Sequence, residues 1–370
     1  MPRPAFTLEQ ATALAAEHFG LASPEATALP SYDDQNFRVA AGGAGYVLKV
    51  AAAGAECRGF CDAAATRGML EMENTAMRRI AEVGVAVPTP VNGVAGGEIV
   101  QLEQLGGACE EAGTCFVRLI TFLPGTLLAE VPEHPPCLLR RFGTCLGRMD
   151  QALADFSHEH AVRDLTWDLA NASRARQHFA DIADPADREL AARALGRFDS
   201  LVVPALGRLP RQVVHGDAND YNVLVDSAAL APPAAGAEPD VAGIGVFDFG
   251  DMVETARVCN LCVALAYVCM KKERPLEVAA EVTAAYHATN PLTGEEVEMI
   301  WPMIAARNVQ SVANSAHSHK LEPDNEYLLV SAAPAWGLLR QTDEIDLATA
   351  NAALRAACGL PAATEDDGRL

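Results

Sequence analysis

Three polar side chains in the second half of the sequence follow apolar runs, and their types suit phosphoryl transfer. Asp217 and Asn222 stand five residues apart in the segment VVHGDANDYNVLV, and Asp248 follows the apolar run GVF. In such a reaction, one carboxylate orients the acceptor hydroxyl and accepts its proton. An amide oxygen and a second carboxylate hold Mg²⁺, which neutralises charge on the phosphate oxygens. The pattern therefore predicts Asp217 as the base and Asn222 and Asp248 as the metal ligands.

A cation for the donor phosphates is predicted on a strand near the start of the sequence. Lys49 lies in the β-type run YVLKV, where it suits the α- and β-phosphates of a nucleotide. The helical segment that follows offers Glu71 and Glu73 as ion-pair partners for this lysine. Glu73 shares a helix face with Met77, which favours it on periodicity, and Glu71 stays open as the alternative.

Each of these motifs alone is common in proteins without catalytic function. An HGD tripeptide is often a turn with a capping aspartate, and a strand lysine is often an exposed edge charge. Here they occur together, in the order and with the spacing that phosphoryl transfer requires, and His215 is expected to brace the loop. The sequence contains no GxxxxGK[ST], GxSxG or HExxH motif. The combination therefore predicts a phosphotransferase site.

The elements that must position these residues divide the sequence into a β-rich part and a helical part. The runs 37–39 and 46–50 flank the turn AGGAG and predict a β-hairpin, followed by a helix over 66–83. The run 116–123 predicts a strand that ends at Pro124. Further helices are predicted over 138–156, 186–203, 256–270 and 299–317, and a surface insertion over 227–242.

These patterns predict an α+β fold with two lobes. Residues 1–120 are expected to form a small, β-rich, nucleotide-binding N-lobe. Residues 127–370 are expected to form a larger, mostly helical, catalytic and substrate C-lobe. Residues 121–126 would connect the two lobes as a hinge.

The composition argues against nucleic acid and membranes as partners. The chain has 370 residues with 28 Lys and Arg against 49 Asp and Glu, and its net charge of −21 repels phosphate backbones. No apolar run is long enough to span a bilayer, and the N-terminal segment reads as an amphipathic helix rather than a signal peptide. Several of the ten cysteines lie in apolar runs, which predicts buried free thiols in a cytoplasmic protein.

The motifs resemble those of a known group of small-molecule kinases. HGDANDYN and the DFG at 248–250 follow the catalytic and metal-binding motifs of the protein-kinase-like aminoglycoside phosphotransferase/choline kinase superfamily. Within that superfamily, several segments resemble the hydroxylysine kinase family, namely YDDQNF at 32–37, VRLITFLPG at 117–125, DFGDM at 248–252 and Arg307-x-x-Gln310-Ser311. The resemblance extends from about residue 30 to residue 345.

The resemblance implies a bilobal kinase fold with the nucleotide between the lobes, and phosphate transfer to the 5-hydroxyl of hydroxylysine. It implies GTP as the donor, with ATP as the alternative, and Mg²⁺ as the cofactor. It also favours Glu71 over Glu73 as the partner of Lys49. The segment SYDDQN at 31–36 stands where a glycine-rich phosphate loop is expected, so Gln35 and Asn36 are predicted to contact the donor phosphates.

An amino acid acceptor with a second ammonium group requires a cation for its carboxylate and acids for its amines. Arg307 lies in a mostly uncharged helical stretch, and a guanidinium can grip a carboxylate through two parallel hydrogen bonds. Asp220 in the catalytic loop and Asp251 after the DFG motif are the nearest acids for the amines. We expect these three residues to bind the acceptor, with a structural ion pair as the alternative for Arg307.

Two other functions remain open. Choline, ethanolamine, homoserine or an aminoglycoside could replace hydroxylysine as the acceptor of the same reaction. The second alternative is a non-catalytic nucleotide-binding regulator, although Lys49, Asp217, Asn222 and Asp248 are all present. A panel of acceptors, each assayed with GTP and with ATP, separates these functions.

Overall fold

The computed structural model describes residues 4–31, 34–53, 62–103, 113–232, 240–323 and 331–362. The chain divides into two units. The first unit comprises residues 1–125, 156–164 and 245–250, and the second comprises residues 126–155, 165–244 and 251–370. The first unit therefore contains two later segments, one of which carries Asp248, and the hydropathy pattern of the sequence does not reveal them.

The first unit is built on one antiparallel sheet. Its elements are α1 (Leu8–Phe19), β1 (Glu25–Leu29), β2 (Gln35–Ala41), β3 (Ala44–Ala52), α2 (Ala63–Glu82), β4 (Pro90–Val91), β5 (Val100–Glu103) and β6 (Thr114–Thr121). The strand order is β1-β2-β3-β6-β4, and β5 also pairs with β6. Helix α1 packs on β1 and β2 and closes one side of the core.

The predicted hairpin is confirmed as β2 and β3. Gly42 and Gly43 form its turn with φ values of +58° and +82°, which lie in the left-handed region that glycine adopts without strain. Phe37 and Val39 alternate with exposed residues on β2, and Leu48 on β3 is fully buried. This alternation fixes which face of the sheet meets the core, because a shift of one residue would reverse every side chain.

Helix α2 contributes a buried glutamate, Glu73, to the core of the first unit. The helix begins where Asp62 accepts a hydrogen bond from the Ala65 N–H. Further along, Glu73 forms an ion pair with Arg118 on β6, and both side chains are almost completely buried. Arg118 also donates to Asn74 Oδ1 at 3.0 Å. The guanidinium is thus held between strand and helix by two partners.

The second unit is mostly helical. Its elements are β7 (Thr126–Leu127), α3 (Pro136–Ala152), α4 (Pro185–Arg197), β8 (Arg211–Val214), β9 (Val223–Val225), α5 (Ser227–Leu230), β10 (Ile244–Val246, whose last two residues belong to the first unit), β11 (Val253–Ala256), α6 (Val258–Val268), α7 (Pro275–Thr289), α8 (Gly294–Leu321), α9 (Ala332–Glu344) and α10 (Leu347–Ala357). The four long helices predicted for this region correspond to α3, α4, α6 and α8. Two short antiparallel pairs, β7 with β9 and β8 with β11, frame the predicted catalytic loop. Within the predicted insertion 227–242, residues 227–230 form α5, and residues 233–239 lie outside the described ranges.

Helix α8 is the central element of the second unit. It has 28 residues and begins at a capping box in which Thr293 and Glu296 each bond the other's backbone N–H. It packs against α4, α6, α9 and α10, and against the 3₁₀ segment Leu169–Asp181. Arg307 lies in the middle of its buried stretch.

Two predictions from composition can be compared with the structure. No helix in the described ranges has both the length and the apolar character that a bilayer crossing requires. Six described cysteines are free thiols: Cys137, Cys145, Cys259, Cys262, Cys269 and Cys358. Cys115 on β6 is disulfide-bonded, so the prediction of free thiols is wrong at this position. Sequence spacing does not reveal which cysteines the fold brings together.

The buried ion pair of the first unit leads to a stability prediction. Glu73→Ala is expected to lower the free energy of unfolding by about 3–5 kcal/mol, because Arg118 would stay buried without its charged partner. Glu71→Ala on the same helix is the matched control. Glu71 forms an exposed pair with Arg67 at 2.9 Å, and the loss of such a pair costs less than about 1 kcal/mol. Urea unfolding followed by circular dichroism measures both, and equal losses would contradict the assignment.

Candidate active site

The loop between β8 and β9 fixes the carboxylate of Asp217 through both of its oxygen atoms. Oδ1 accepts a hydrogen bond from Arg307 Nη2 at 2.9 Å. Oδ2 accepts hydrogen bonds from the amide nitrogens of Asn219 at 2.9 Å and Asn222 at 2.8 Å. The orientation of this carboxylate is therefore set jointly by the loop and by helix α8.

The loop can take this shape because a glycine occupies a position where the backbone is left-handed and a side chain has no room. Gly216 has φ +81°, and a Cβ here would lie 2.5 Å from the carbonyl oxygen of Asp251. The neighbouring His215 is completely buried, and its Nδ1 accepts a hydrogen bond from the Asp217 N–H at 3.3 Å. His215 thus braces the loop, as expected from the sequence.

A chain of buried polar groups fastens the loop to the helices behind it. The Gly216 N–H donates to Asn260 Oδ1 at 3.1 Å, and Asn260 Nδ2 donates to Asp150 Oδ1 at 2.8 Å. The hydroxyl of Tyr286 donates to Asp150 Oδ2 at 2.6 Å. Burial raises the pKa of Asp150 to about 7, even though both of these hydrogen bonds lower it. Helices α3, α6 and α7 are therefore linked to the predicted catalytic loop through one carboxylate.

Arg307 is enclosed on every side by the second unit, and its side chain is only 2% exposed. Besides its bond to Asp217, its Nη1 donates to the Trp167 carbonyl oxygen at 2.9 Å and to Gln310 Oε1 at 3.3 Å. The aromatic rings of Trp167 and Tyr267 lie 4.9 and 5.6 Å from the guanidinium carbon. These contacts hold the guanidinium rigidly against the predicted base.

The charges around Arg307 bring a third predicted residue into this region. Burial lowers the pKa of Arg307, but the nearby groups of Tyr267, Asp217 and Asp251 raise it above its ordinary value. The guanidinium therefore stays charged. Asp217, Asp251 and Arg307, which are far apart in sequence, lie within electrostatic reach of one another.

Asp220 is a buried acid in the same loop. Its backbone carbonyl accepts a hydrogen bond from the Ala129 N–H at 2.9 Å, which ties the loop to the segment after β7. Its carboxylate oxygen Oδ1 is buried without a hydrogen-bond partner. Burial raises the pKa of Asp220 to about 6, while the charges of Lys271 and Lys272 lower it. A buried acceptor of this kind suits a cationic ligand group.

In the first unit, Lys49 and Asp248 lie together. Lys49 Nζ is 3.5 Å from Asp248 Oδ1 and 3.8 Å from Asp34 Oδ2. The lysine is almost buried, whereas half of the Asp248 side chain is exposed. Asp248 has φ +62°, a backbone conformation that is strained for a residue other than glycine and that recurs at functional sites.

The ion-pair partner predicted for Lys49 needs correction. In the described ranges Glu73 pairs with Arg118 and Glu71 pairs with Arg67, and neither acid pairs with Lys49. The register of the sheet gives the reason, since Arg118 on β6 lies directly opposite Lys49 on β3. The arginine satisfies the buried glutamate, and the two aspartates supply the counter-charge of the lysine.

Gln35 and Asn36 occupy different environments on β2. The Gln35 side chain accepts a hydrogen bond from the Phe6 N–H at 2.7 Å and donates to the Phe6 carbonyl oxygen at 2.8 Å. It thereby ties the N-terminal segment to the sheet. Asn36 lies opposite Lys49 in the register, and its Oδ1 is buried without a partner. Their predicted contacts with donor phosphates stay predictions, and the neighbouring Tyr32 and Asp33 lie outside the described residues.

Sequence reasoning missed Asp150 and Asn260 as residues that support the site, and it named Gln310 only as part of a motif, without a role. Asn260 stands as a single polar residue in the apolar helical run VCNLCVAL, whereas Asp150 lies between Arg148 and Gln151 in LGRMDQAL and carries no such signal. A buried polar residue needs a partner, so an isolated one in an apolar helix is a signal for such a network. The signal does not say which loop the network supports.

Residues 25–297 match the family model described as the phosphotransferase enzyme family. The chain belongs to this family. The phosphotransferase is 28% identical to hydroxylysine kinase of Mus musculus over 353 residues, which cover 92% of this chain and 90% of that protein. It is 29% identical to homoserine kinase of Methylobacillus flagellatus over 231 residues, which cover 61% of each chain.

Solved structures of similar fold come from small-molecule kinases. An amicoumacin kinase in complex with AMP-PNP, Ca²⁺ and its antibiotic has a TM-score of 0.62 at 16% identity, covering 92% of the phosphotransferase and 95% of that chain. A microcompartment-associated aminopropanol kinase has a TM-score of 0.61 at 17% identity, covering 93% and 97%. At these identities the likeness concerns the fold alone, and it confirms the predicted kinase-like α+β architecture.

The geometry of the loop leads to a test of the predicted base. Asp217→Asn is expected to lower kcat by about 10²–10⁴-fold, since an amide cannot accept the proton of the acceptor hydroxyl. Nucleotide affinity should change by no more than a few fold, because the base acts on the acceptor. Steady-state kinetics and nucleotide titration by calorimetry measure the two effects.

Asp226→Asn is the matched control for this variant. Asp226 caps α5 by accepting a hydrogen bond from the Ala228 N–H at 2.7 Å, which an asparagine side chain can also accept. Its kinetics should equal those of the wild type. An Asp217→Asn variant that keeps more than about a tenth of the wild-type kcat would remove Asp217 from the role of base.

Proposed function

We propose that this phosphotransferase is a small-molecule kinase that transfers the γ-phosphoryl group of GTP to the 5-hydroxyl of hydroxylysine. The observation that carries phosphoryl transfer is the Asp217 carboxylate, which two loop amides and one guanidinium hold in a single orientation. The choice of acceptor rests on hydroxylysine kinases of four vertebrates, the first of which aligns over 90% of its length.

In the proposed reaction, the acceptor hydroxyl forms a bond to the γ-phosphorus while the bond from that phosphorus to the β–γ bridging oxygen breaks. The hydroxyl proton passes to the Asp217 carboxylate, and the nucleoside diphosphate leaves with the bridging oxygen. Lys49 would contact the donor phosphates. Its present partners are two aspartates, so a phosphate would replace one anionic partner by another.

The residues predicted to hold the metal fit a hard cation. Asn222 uses its amide nitrogen twice, donating to the Asp217 backbone carbonyl at 2.9 Å and to its carboxylate at 2.8 Å. The amide oxygen is therefore the atom that Asn222 would offer, and Asp248 would offer a carboxylate oxygen. Oxygen donors of this kind suit Mg²⁺. When bound, the ion would neutralise negative charge on the transferred phosphoryl group.

The acceptor site would use the acids of the second unit. Hydroxylysine carries two ammonium groups, and the buried Asp220 Oδ1 lacks a partner that an ammonium would supply. Asp251 is the second proposed amine contact. Arg307 was predicted to bind the acceptor carboxylate, but the contacts that it makes favour the different role argued in the next subsection.

Homoserine is the second candidate acceptor. The relative from Methylobacillus flagellatus is named as a homoserine kinase, and homoserine is likewise an amino acid with a free hydroxyl. It lacks the second ammonium group, so it offers one cationic group to the two acids where hydroxylysine offers two. Hydroxylysine therefore fits the charges better.

A donor and acceptor panel tests the proposal. GTP with 5-hydroxylysine is expected to give the highest kcat/KM, and lysine is expected to be inert because it lacks the accepting hydroxyl. Homoserine, choline, ethanolamine and an aminoglycoside complete the panel, each with GTP and with ATP. A clear preference for one of these acceptors at equal concentration would overturn the choice of hydroxylysine.

Nucleotide titration with and without Mg²⁺ tests the metal ligand. Asp248→Asn should lose most of the increase in nucleotide affinity that Mg²⁺ gives the wild type, because the ion bridges the phosphates and the protein. Asp251→Asn changes a nearby acid that is assigned to the acceptor, and should keep the increase. If Asp248→Asn responds to Mg²⁺ as the wild type does, Asp248 is not a metal ligand.

A further inference from the structure

We propose that Arg307 is a positioning residue, which holds the Asp217 carboxylate for proton transfer and does not itself bind the acceptor. The inference rests on the proposed function, since it assigns a role within the same reaction. It separates two roles for Arg307 that the sequence leaves open, because the ion-pair partner found in the structure is the predicted base.

Both terminal nitrogens of the guanidinium already donate hydrogen bonds to groups of the protein. Nη2 donates to Asp217 Oδ1 at 2.9 Å, and Nη1 donates to the Trp167 carbonyl oxygen at 2.9 Å. A bidentate grip on an acceptor carboxylate needs two parallel N–H donors. It would have to displace Asp217 or use Nε, which is buried without a partner. The first route removes the base from its present place, and the second requires the acceptor to reach a nitrogen that the surrounding side chains bury.

The arginine is itself held by the helix turn that follows it. Gln310 accepts a hydrogen bond from Arg307 Nη1 at 3.3 Å through its Oε1. Through its Nε2 it donates to the carbonyl oxygens of Thr166 at 2.6 Å and Asp168 at 3.3 Å. The motif Arg307-x-x-Gln310 thus joins α8 to the segment before the 3₁₀ helix. This support limits the freedom of the guanidinium that holds the base.

The two oxygens of Asp217 are held by elements from different parts of the chain. The amides of Asn219 and Asn222 belong to the loop itself and move with it, whereas Arg307 belongs to α8. Without the arginine, the carboxylate could rotate while the loop stayed folded. A misplacement of about 1 Å at a reacting centre costs on the order of 10²-fold in rate.

Steady-state kinetics with the best acceptor of the panel test the proposal. Arg307→Met is expected to lower kcat by about 10- to 100-fold while both KM values stay within about threefold. Arg307→Lys keeps the charge but cannot reach all three partners, so its kcat should lie between those of Arg307→Met and the wild type. If Arg307→Met fails to fold, the kinetics of Arg307→Lys test the same proposal.

Arg355→Met is the matched control. Arg355 is 7% exposed and pairs with Glu298 at the start of α8 at 2.6 Å, so its loss removes a similarly buried arginine from the same helix packing. It should lower the melting temperature and leave kcat unchanged. If Arg307→Met behaves like this control, the arginine is structural and the proposal is overturned.

A comparison of Arg307→Met kinetics between acceptors with and without an α-carboxylate distinguishes positioning of the base from binding of the acceptor. Direct binding predicts that Arg307→Met raises KM for the acceptor by about tenfold or more, and that an acceptor without the α-carboxylate loses far less. That result would also overturn the proposal. Positioning predicts the same loss of kcat for both acceptors.

A double-mutant cycle gives the decisive comparison. In the Asp217→Asn background, Arg307→Met should cost no more than about threefold in kcat, because the carboxylate that it positions is already gone. An equal loss in both backgrounds would show that Arg307 acts independently of Asp217. A wild-type protein that phosphorylates no acceptor contradicts the proposed function, whereas an active wild type with an unaffected Arg307→Met variant contradicts this inference alone.

Discussion

The second unit depends on one constraint, which is that a carboxylate must keep a single orientation inside a mostly apolar helical body. The Asp217 side chain meets this constraint through Arg307 on one oxygen and two loop amides on the other. Behind the loop, Asp150 anchors Asn260, which in turn holds the Gly216 N–H. Buried polar groups are costly unless they are paired, so each member of this network fixes the next. The helices therefore hold the loop in a fixed position.

The first unit meets a different requirement, which is to keep the charge of a nearly buried lysine balanced. Lys49 lies between Asp34 and Asp248, and the adjacent Arg118 is neutralised by Glu73. Two cations thus stand side by side on neighbouring strands, each with its own acids. The buried pair links the sheet to helix α2, and the pair of Lys49 and Asp248 is partly exposed through its aspartate.

Local sequence patterns predicted the main helices and the β2–β3 hairpin, but not the partners across the fold, and the catalytic role of the loop stays a prediction. The hairpin of β2 and β3 follows from alternation and a glycine turn, and HGDANDYN indicates its own chemistry. Glu73 was predicted to pair with Lys49 but pairs with Arg118. This outcome depends on strand register, which the periodicity of the sequence does not reveal. The membership of residues 156–164 and 245–250 in the first unit likewise depends on tertiary packing. Arg307 was found as an unusual charge, but its partner became evident only from the structure.

A crystal structure with a non-hydrolysable GTP analogue, Mg²⁺ and 5-hydroxylysine would test the roles of Asp217 and Arg307 together. We expect the acceptor hydroxyl to lie within about 3 Å of an Asp217 carboxylate oxygen, the distance needed for proton transfer. We also expect the Arg307 guanidinium to keep its bond to Asp217. An acceptor whose carboxylate replaces Asp217 on Arg307, with its hydroxyl out of reach of Asp217, would show that both roles are wrong.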